Sequence, residues 1–173
     1  MRATLDPSLA IRRDDMTGEQ VRALLALHLA GMHASSPPGT VFALDLSGLQ
    51  APGMTVWSAW RGDRIAGVAA LNDLGDGTGE VKSMRTHPDH LRSGVAVALL
   101  DWIIAMARRK GLTRLSLETG NGPAFQPALR LYAKRGFRRG MPFSRYAENG
   151  HSLFLHLDLC DVPATSTATT GAH

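Results

Sequence analysis

Residues 80–96 read EVKSMRTHPDHLRSGVA, and the fold turns on how this stretch is parsed. Glu80 to Thr86 has the length and alternation of a strand, Pro88 stops it, and from Gly94 the apolar spacing changes to the helical period. A strand that runs through a short basic, glycine-containing loop into a helix makes an anion site. The first N–H groups of a helix lack intrahelical acceptors and point along its axis, and the aligned peptide dipoles add partial positive charge there. Gly94 lets a pyrophosphate approach the backbone, Ala96 keeps the next turn slim, and Arg92 adds a formal charge.

Upstream of this stretch, Thr55 to Trp60 and Arg64 to Leu71 read as two strands about a turn at Arg61, Gly62 and Asp63. Asn72 to Gly79 is a second turn, which makes Glu80 to Thr86 the third strand of a meander. Nearer the amino end, Leu9 to Arg12 is a short strand, and Thr17 with Gln20 forms a capping box that opens a helix. Val21, Leu24, Leu25, Leu29 and Met32 give that helix an apolar face, and the loop His33 to Thr40 (HASSPPGT) ends it.

Downstream, Gly94 to Lys110 is a helix with Val95, Leu99, Trp102, Ile103 and Met106 on one side and Gly111 as its C-cap. Arg114 to Glu118 is a strand, Pro127 starts a helix that runs to about Arg135, and Gly136 closes it. Ser152 to Leu159 is the last strand. An antiparallel run followed by strand, helix, strand, helix and strand predicts an α/β (α+β layered) fold: a mixed, mostly antiparallel central sheet flanked by helices. One domain is expected over residues 1–160. Residues 161–173, rich in Thr, Ala and Ser without periodicity, are expected to be a disordered tail.

The composition sets limits on function. The 173 residues are 44% hydrophobic and 20% charged, which suits one globular core. No apolar run approaches the roughly 18 residues of a membrane span, and Met1 to Asp15 lacks the apolar block of a secretory signal, so a cytoplasmic protein without a membrane partner is expected. The single cysteine, Cys160, excludes an internal disulfide and a cysteine-based zinc site. A net charge of +4 and a pI near 9.8 attract anions. A nucleic-acid partner is not expected, because no recognition-helix motif or interleaving of aromatic and basic residues accompanies the charge. Arg108, Arg109 and Lys110 fall in a last helical turn, where cations complement the dipole. His87 and His90 have metal-pair spacing, but Pro88 breaks the helix such a pair needs, so no metal is expected.

Taken as an ordered set, RSGVA at 92–96, the helix VALLDWIIAMARRKG, LSLETG and LRLYAKRGF at 129–137 resemble the acetyl-coenzyme A core of the GNAT acetyltransferase superfamily, over roughly Thr55 to Leu159. ETG at 118–120 together with HLRSGVA is similar to a bacterial branch called YsnE-like. The superfamily's phosphate loop opens on Gln or Arg, where this chain has Leu91, with Arg92 one place later; Gly94 and Ala96 match. Since much of the grip comes from backbone amides, the N–H groups of Arg92, Ser93, Gly94, Val95 and Ala96 are expected to hold the pyrophosphate. An asparagine that many members carry seven residues before the tyrosine is Phe125 here, which removes one polar contact. The resemblance further implies that strand 80–86 splays from its neighbour so that the pantetheine arm pairs with backbone at Met84, Arg85 and Thr86. An N–H there can polarise the thioester carbonyl. Lys134 joins the cofactor-side residues, and two copies of the chain can pair through their last strands.

The resemblance implies acetyl transfer to an amine of a small molecule or peptide by direct attack in a ternary complex, which calls for a base and an acid. Tyr132, in LYAKRGF, is the candidate acid, since the family's tyrosine lies near the coenzyme sulfur. Glu80 and Glu118, in strands expected to be central, are the candidate bases. Alternation puts Glu80, Lys82, Met84 and Thr86 on one face, so Lys82 can instead pair with Glu80. The resemblance implies that the end of the first helix and the proline loop line the acceptor site, so His28 and Ser36 are candidate substrate contacts. Trp57 and Trp60 either pack the core or border that pocket. The rival reading is a module that binds acetyl-coenzyme A without catalysis and acts on a partner protein; Glu80, Glu118 and Tyr132 occurring together argue against it.

Overall fold

Long apolar strands with small residues at their centre require cover on both faces, and the chain supplies it with helices. The computed structural model describes residues 8–160; the proposed tail at 161–173 lies outside them. The elements are β1 (Leu9–Arg13), α1 (Glu19–Ser35), α2 (Leu46–Leu49), β2 (Met54–Arg61), β3 (Arg64–Asp73), β4 (Thr78–Thr86), α3 (Val95–Arg109), β5 (Arg114–Gly120), α4 (Gln126–Lys134), β6 (Arg138–Arg139) and β7 (Ser152–Asp158). The strands form one seven-stranded sheet in the order β1-β2-β3-β4-β5-β7-β6, antiparallel except for the β4–β5 pair.

β3 is an interior strand between β2 and β4, and Ala66, Val68, Ala69, Ala70 and Leu71 in it are buried. Its two faces feed separate cores. On one, Leu99, Leu100 and Ile103 of α3 meet Trp57, Ala59, Leu71, Val81, Leu115 and Leu117. On the other, Val21, Leu24 and Leu25 of α1 meet Val56, Ile65, Val68 and Ala70. Full burial of each large aliphatic side chain stabilises the fold by about 1.5–3 kcal/mol. α3 lies close on the sheet because Gly67 has no Cβ: one built there would sit 2.8 Å from both Leu99 Cδ1 and Val95 Cγ1.

The structure corrects several expectations. Thr17 and Gln20 do not form a capping box. Gly18 is the N-cap of α1 with no side-chain bond, and Thr17 Oγ1 donates to Asp15. Gln20 finds tertiary partners instead, donating to Asp63 O at 2.8 Å and accepting from Ile65 N at 3.0 Å, which ties α1 to the β2–β3 hairpin. α1 also runs on to Ser35, just before the two prolines, so His33 lies in the helix rather than in the loop. Of the two alternatives for Trp57, the structure shows the packing one: its position on β2 faces α3 and the ring lies in the α3-side core. Trp60 lies against the α1-side core with Arg12 stacked over its ring.

Candidate active site

β4 and β5 pair only at Thr78↔Arg114, Gly79↔Leu115 and Glu80↔Ser116. Beyond that point β4 runs on to Thr86 and β5 to Gly120 without pairing, so the sheet opens in a wedge, as the resemblance implies. A second device sets the course of β4. Val68 pairs with Arg85 and Ala70 with Lys82, so Ala69 alone faces both Ser83 and Met84, a β-bulge. Ser83 sits at φ +52, in the left-handed region, and its Oγ is buried without a partner among the described residues.

The bulge overturns the simple alternation expected for β4. Glu80 and Lys82 share the α1 side, where Lys82 Nζ reaches Phe42 O and Tyr146. The extra residue then switches the phase. Met84 packs against the α3-side core, and Arg85 lies against Gly31 of α1. Glu80, Lys82, Met84 and Thr86 therefore do not share a face.

The wedge holds a cavity of about 330 Å³. Its walls bring together Glu80, Glu118 and Tyr132, the three residues proposed to move protons, with His28 of α1 and Arg85 of β4. A smaller adjoining cavity of about 190 Å³ includes Ser36, Ser152 and Glu118 in its walls, so Ser36 borders the site through Glu118. Trp57 contributes to neither cavity.

Each group has a defined electrostatic setting. Glu80 is buried and accepts from Lys82 Nζ at 3.2 Å and from the Tyr146 hydroxyl. Lys82 also donates to Tyr146 Oη at 2.9 Å and to Phe42 O at 3.3 Å, which occupies the three donors of an ammonium. Burial, and then the Glu80 charge, hold the Tyr146 phenol well above its ordinary value. Glu118 accepts from Ser152 Oγ at 2.7 Å. Burial pushes its carboxyl up, and the Ser152 hydroxyl and the Lys82 charge partly offset this. Burial likewise pushes Tyr132 up to about 12. His28 is lowered to about 4, chiefly by burial and then by the Arg85 charge, and its Nδ1 is buried without a partner.

Tyr146 is the residue the sequence reading missed. It lies in the long connection between β6 and β7, and Phe42, Phe143 and Phe154 hold its ring from three sides at centroid distances of 5.2, 5.0 and 5.8 Å. The available signal was scarcity, since the chain has two tyrosines.

The loop expected to cradle an anion leads into the amino end of α3. Gly94 is the N-cap at φ +81 with no side-chain cap, and a Cβ there would meet nothing within 4 Å. Arg92 is also left-handed, at φ +57, and it, Leu91 and Ser93 are exposed. Arg61, read from sequence only as a turn residue, braces this loop: its Nη1 donates to Ser93 Oγ at 2.9 Å and its Nη2 to Ser93 O at 3.0 Å. Lys134 is exposed at the end of α4. Among the described residues no cluster of His, Cys, Asp or Glu is arranged to hold a metal ion. No described helix is long and apolar enough to cross a membrane.

The fold thus combines an opened parallel pair, a bulge in one strand of that pair and a helix start without a side-chain cap. The family model described as acetyltransferase (GNAT) family matches residues 21–137, and the chain belongs to that family and is an acetyltransferase. It is 48% identical over 145 residues, 84% of this chain and 96% of the other, to the uncharacterized N-acetyltransferase YsnE of Bacillus subtilis, which supports placement in the YsnE-like branch. Among solved structures, a Klebsiella pneumoniae protein named as an acyl-CoA N-acyltransferase superposes with a TM-score of 0.75 at 25% identity, over 88% of this chain and 98% of that one. A Bacillus subtilis acetyltransferase in complex with CoA superposes at 0.65 with 24% identity, over 88% and 99%.

Proposed function

We propose that the chain is an acetyl-coenzyme A-dependent N-acetyltransferase in which Glu118 is the base and Tyr132 the acid. The observation that carries this reading is the β4–β5 wedge, which gathers the buried Glu80 carboxylate, the half-buried Glu118 carboxylate and the buried Tyr132 phenol around one cavity. The residues present fit the coenzyme. The Gly94 turn is open where a side chain would block a phosphate, the unpaired part of β4 offers backbone groups at Met84 and Thr86, and Ser83 Oγ is an orphaned polar atom beside them. Bound there, acetyl-coenzyme A supplies an activated acetyl thioester.

The chain's own groups handle the protons. Glu118 takes one from the acceptor nitrogen, because burial raises its carboxyl above the ordinary value and so makes it a stronger base than an exposed carboxylate. Glu80 is tied to Lys82 and Tyr146 and serves as a fixed anionic wall rather than a proton acceptor. Tyr132, pushed up to about 12, stays protonated through the working range and delivers its proton to the departing sulfur.

Thiol release with a panel of amines tests this reading. Glu118→Gln is expected to lower kcat by about 10²–10⁴-fold, the ordinary contribution of a positioned base, and to remove the acidic limb of the pH–rate profile. Tyr132→Phe lowers kcat with acetyl-coenzyme A binding retained. Glu80→Gln keeps the acidic limb. An unchanged profile in Glu118→Gln with loss of the limb in Glu80→Gln reverses the assignment of the base.

A further inference from the structure

Four charged side chains face the wedge cavity, and they are not equally engaged. Lys82 has its three donors on Glu80, Tyr146 and Phe42 O. Glu80 holds Lys82 and Tyr146, and Glu118 holds Ser152. Arg85 is different. It is half-buried in the cavity wall, and no hydrogen bond or ion pair engages its guanidinium among the described residues. A partly desolvated guanidinium with five unused donors is costly unless an anion meets it.

The surroundings suit an anion at that point. The bulge at Ser83 turns the Arg85 side chain to the α1 face, away from Met84 and the α3 side. Gly31 makes room for it: a Cβ there would lie 3.2 Å from Arg85 Nη1. The neighbouring His28 ring is neutral, so it neither repels the guanidinium nor competes for an anion. The cradle at Gly94 starts the helix on the opposite face of the sheet, which makes a coenzyme phosphate an unsuitable partner for this arginine.

We infer that Arg85 anchors a carboxylate on the acceptor, so the substrate class is a small amine that bears a carboxylate, of amino-acid type. This rests on the transferase reading above. The register makes the two ends compatible. Glu118 lies two residues past the Glu80↔Ser116 pair, level with Lys82, and Arg85 is three residues further along β4, roughly 10 Å at the strand rise. A small amino acid and the arginine's own side chain together span that distance. Planar guanidinium binds carboxylate through two parallel charge-assisted hydrogen bonds, which gives discrimination against the uncharged amide. Polyamines and other polycationic acceptors, with no anion to offer, are disfavoured.

The test compares kcat/KM by thiol release for glycine, β-alanine, γ-aminobutyrate and ε-aminocaproate with that for their amides and for spermidine. In the wild type the best carboxylate is expected to exceed its amide by about 10–100-fold, the worth of a charge-assisted pair. In Arg85→Met that ratio collapses to about twofold, mainly through KM, and Arg85→Lys restores part of it. The rise in melting temperature of the coenzyme A complex on adding amino acid or amide gives the same comparison without turnover. Calorimetry of acetyl-coenzyme A on Arg85→Met controls for the cofactor site. Equal use of acid and amide by the wild type, or spermidine as the best acceptor, overturns the carboxylate anchor alone. A ratio that survives in Arg85→Met while coenzyme affinity falls assigns the arginine to the coenzyme and likewise overturns it. Failure of every amine to release thiol overturns the transferase chemistry first and this inference with it.

Discussion

His28 shows how one buried ring leaves a measurable mark on stability. It is 8% exposed, and burial followed by the Arg85 charge lowers it to about 4. In the unfolded chain the same ring protonates near its ordinary 6.5. Between these values the unfolded state binds more protons, so stability rises with pH across this window and is fully present above it. The shift corresponds to about 3 kcal/mol, lost progressively as pH falls from about 6.5 to 4. His28→Gln, followed by urea unfolding across that range, is expected to flatten this part of the acid limb; an unchanged slope assigns the loss to other groups. At the same scale the site was only half legible. Glu80, Glu118, Tyr132 and His28 could be picked out because polar groups in apolar periodic runs are conspicuous, and the cavity brings them together. Tyr146 could not, because it reaches Glu80 from an aperiodic connection whose course is set by aromatic packing against Phe42, Phe143 and Phe154. Trp57 was ambiguous because its side of β2 depends on sheet register.

Among the elements, β4 and α3 do most to shape the site, and both rest on backbone features with little sequence signal. The bulge at Ser83 arises from pairing with Ala69 of β3, so no pattern within residues 80–86 discloses it, and the alternation rule failed there for that reason. The start and end of α3 were legible, because Gly94 and Gly111 take left-handed conformations that favour glycine. The dock between α3 and the sheet is testable at Gly67, where a methyl group would meet Val95, Leu99 and the Arg85 carbonyl at 2.8, 2.8 and 3.0 Å. Gly67→Ala is expected to destabilise the protein by about 1–3 kcal/mol, as overpacking does, and thermal unfolding reads this as a lowered Tm. Because the displaced carbonyl belongs to Arg85, activity toward the acceptor falls as well. A Tm equal to that of the wild type shows that α3 does not seat on Gly67.

At the scale of the whole molecule, the sheet separates two cores, with α1 covering one face and α3 and α4 the other. This division follows from the sequence order of strands and helices, and the central meander, the two helices after it and the strands between and beyond them were predicted within a few residues, whereas the parallel pairing of β4 with β5 is known from the structure. The short α2 and β6 were not, since four and two residues are too few to show a period. In the proposed reading the coenzyme takes one face and the acceptor the other, joined through the β4–β5 wedge, and the central claim is that the open helix start at Gly94 holds the pyrophosphate. Calorimetric titration of acetyl-coenzyme A into the wild type and Gly94→Glu tests it most directly. The account predicts micromolar binding to the wild type, weakened by at least about 100-fold in the variant, where a carboxylate both fills and charges the anion cradle, with a modest fall in Tm because a side chain at φ +81 costs about 1–2 kcal/mol although no atom crowds it. Equal affinity in the two proteins, or no binding to the wild type, contradicts it.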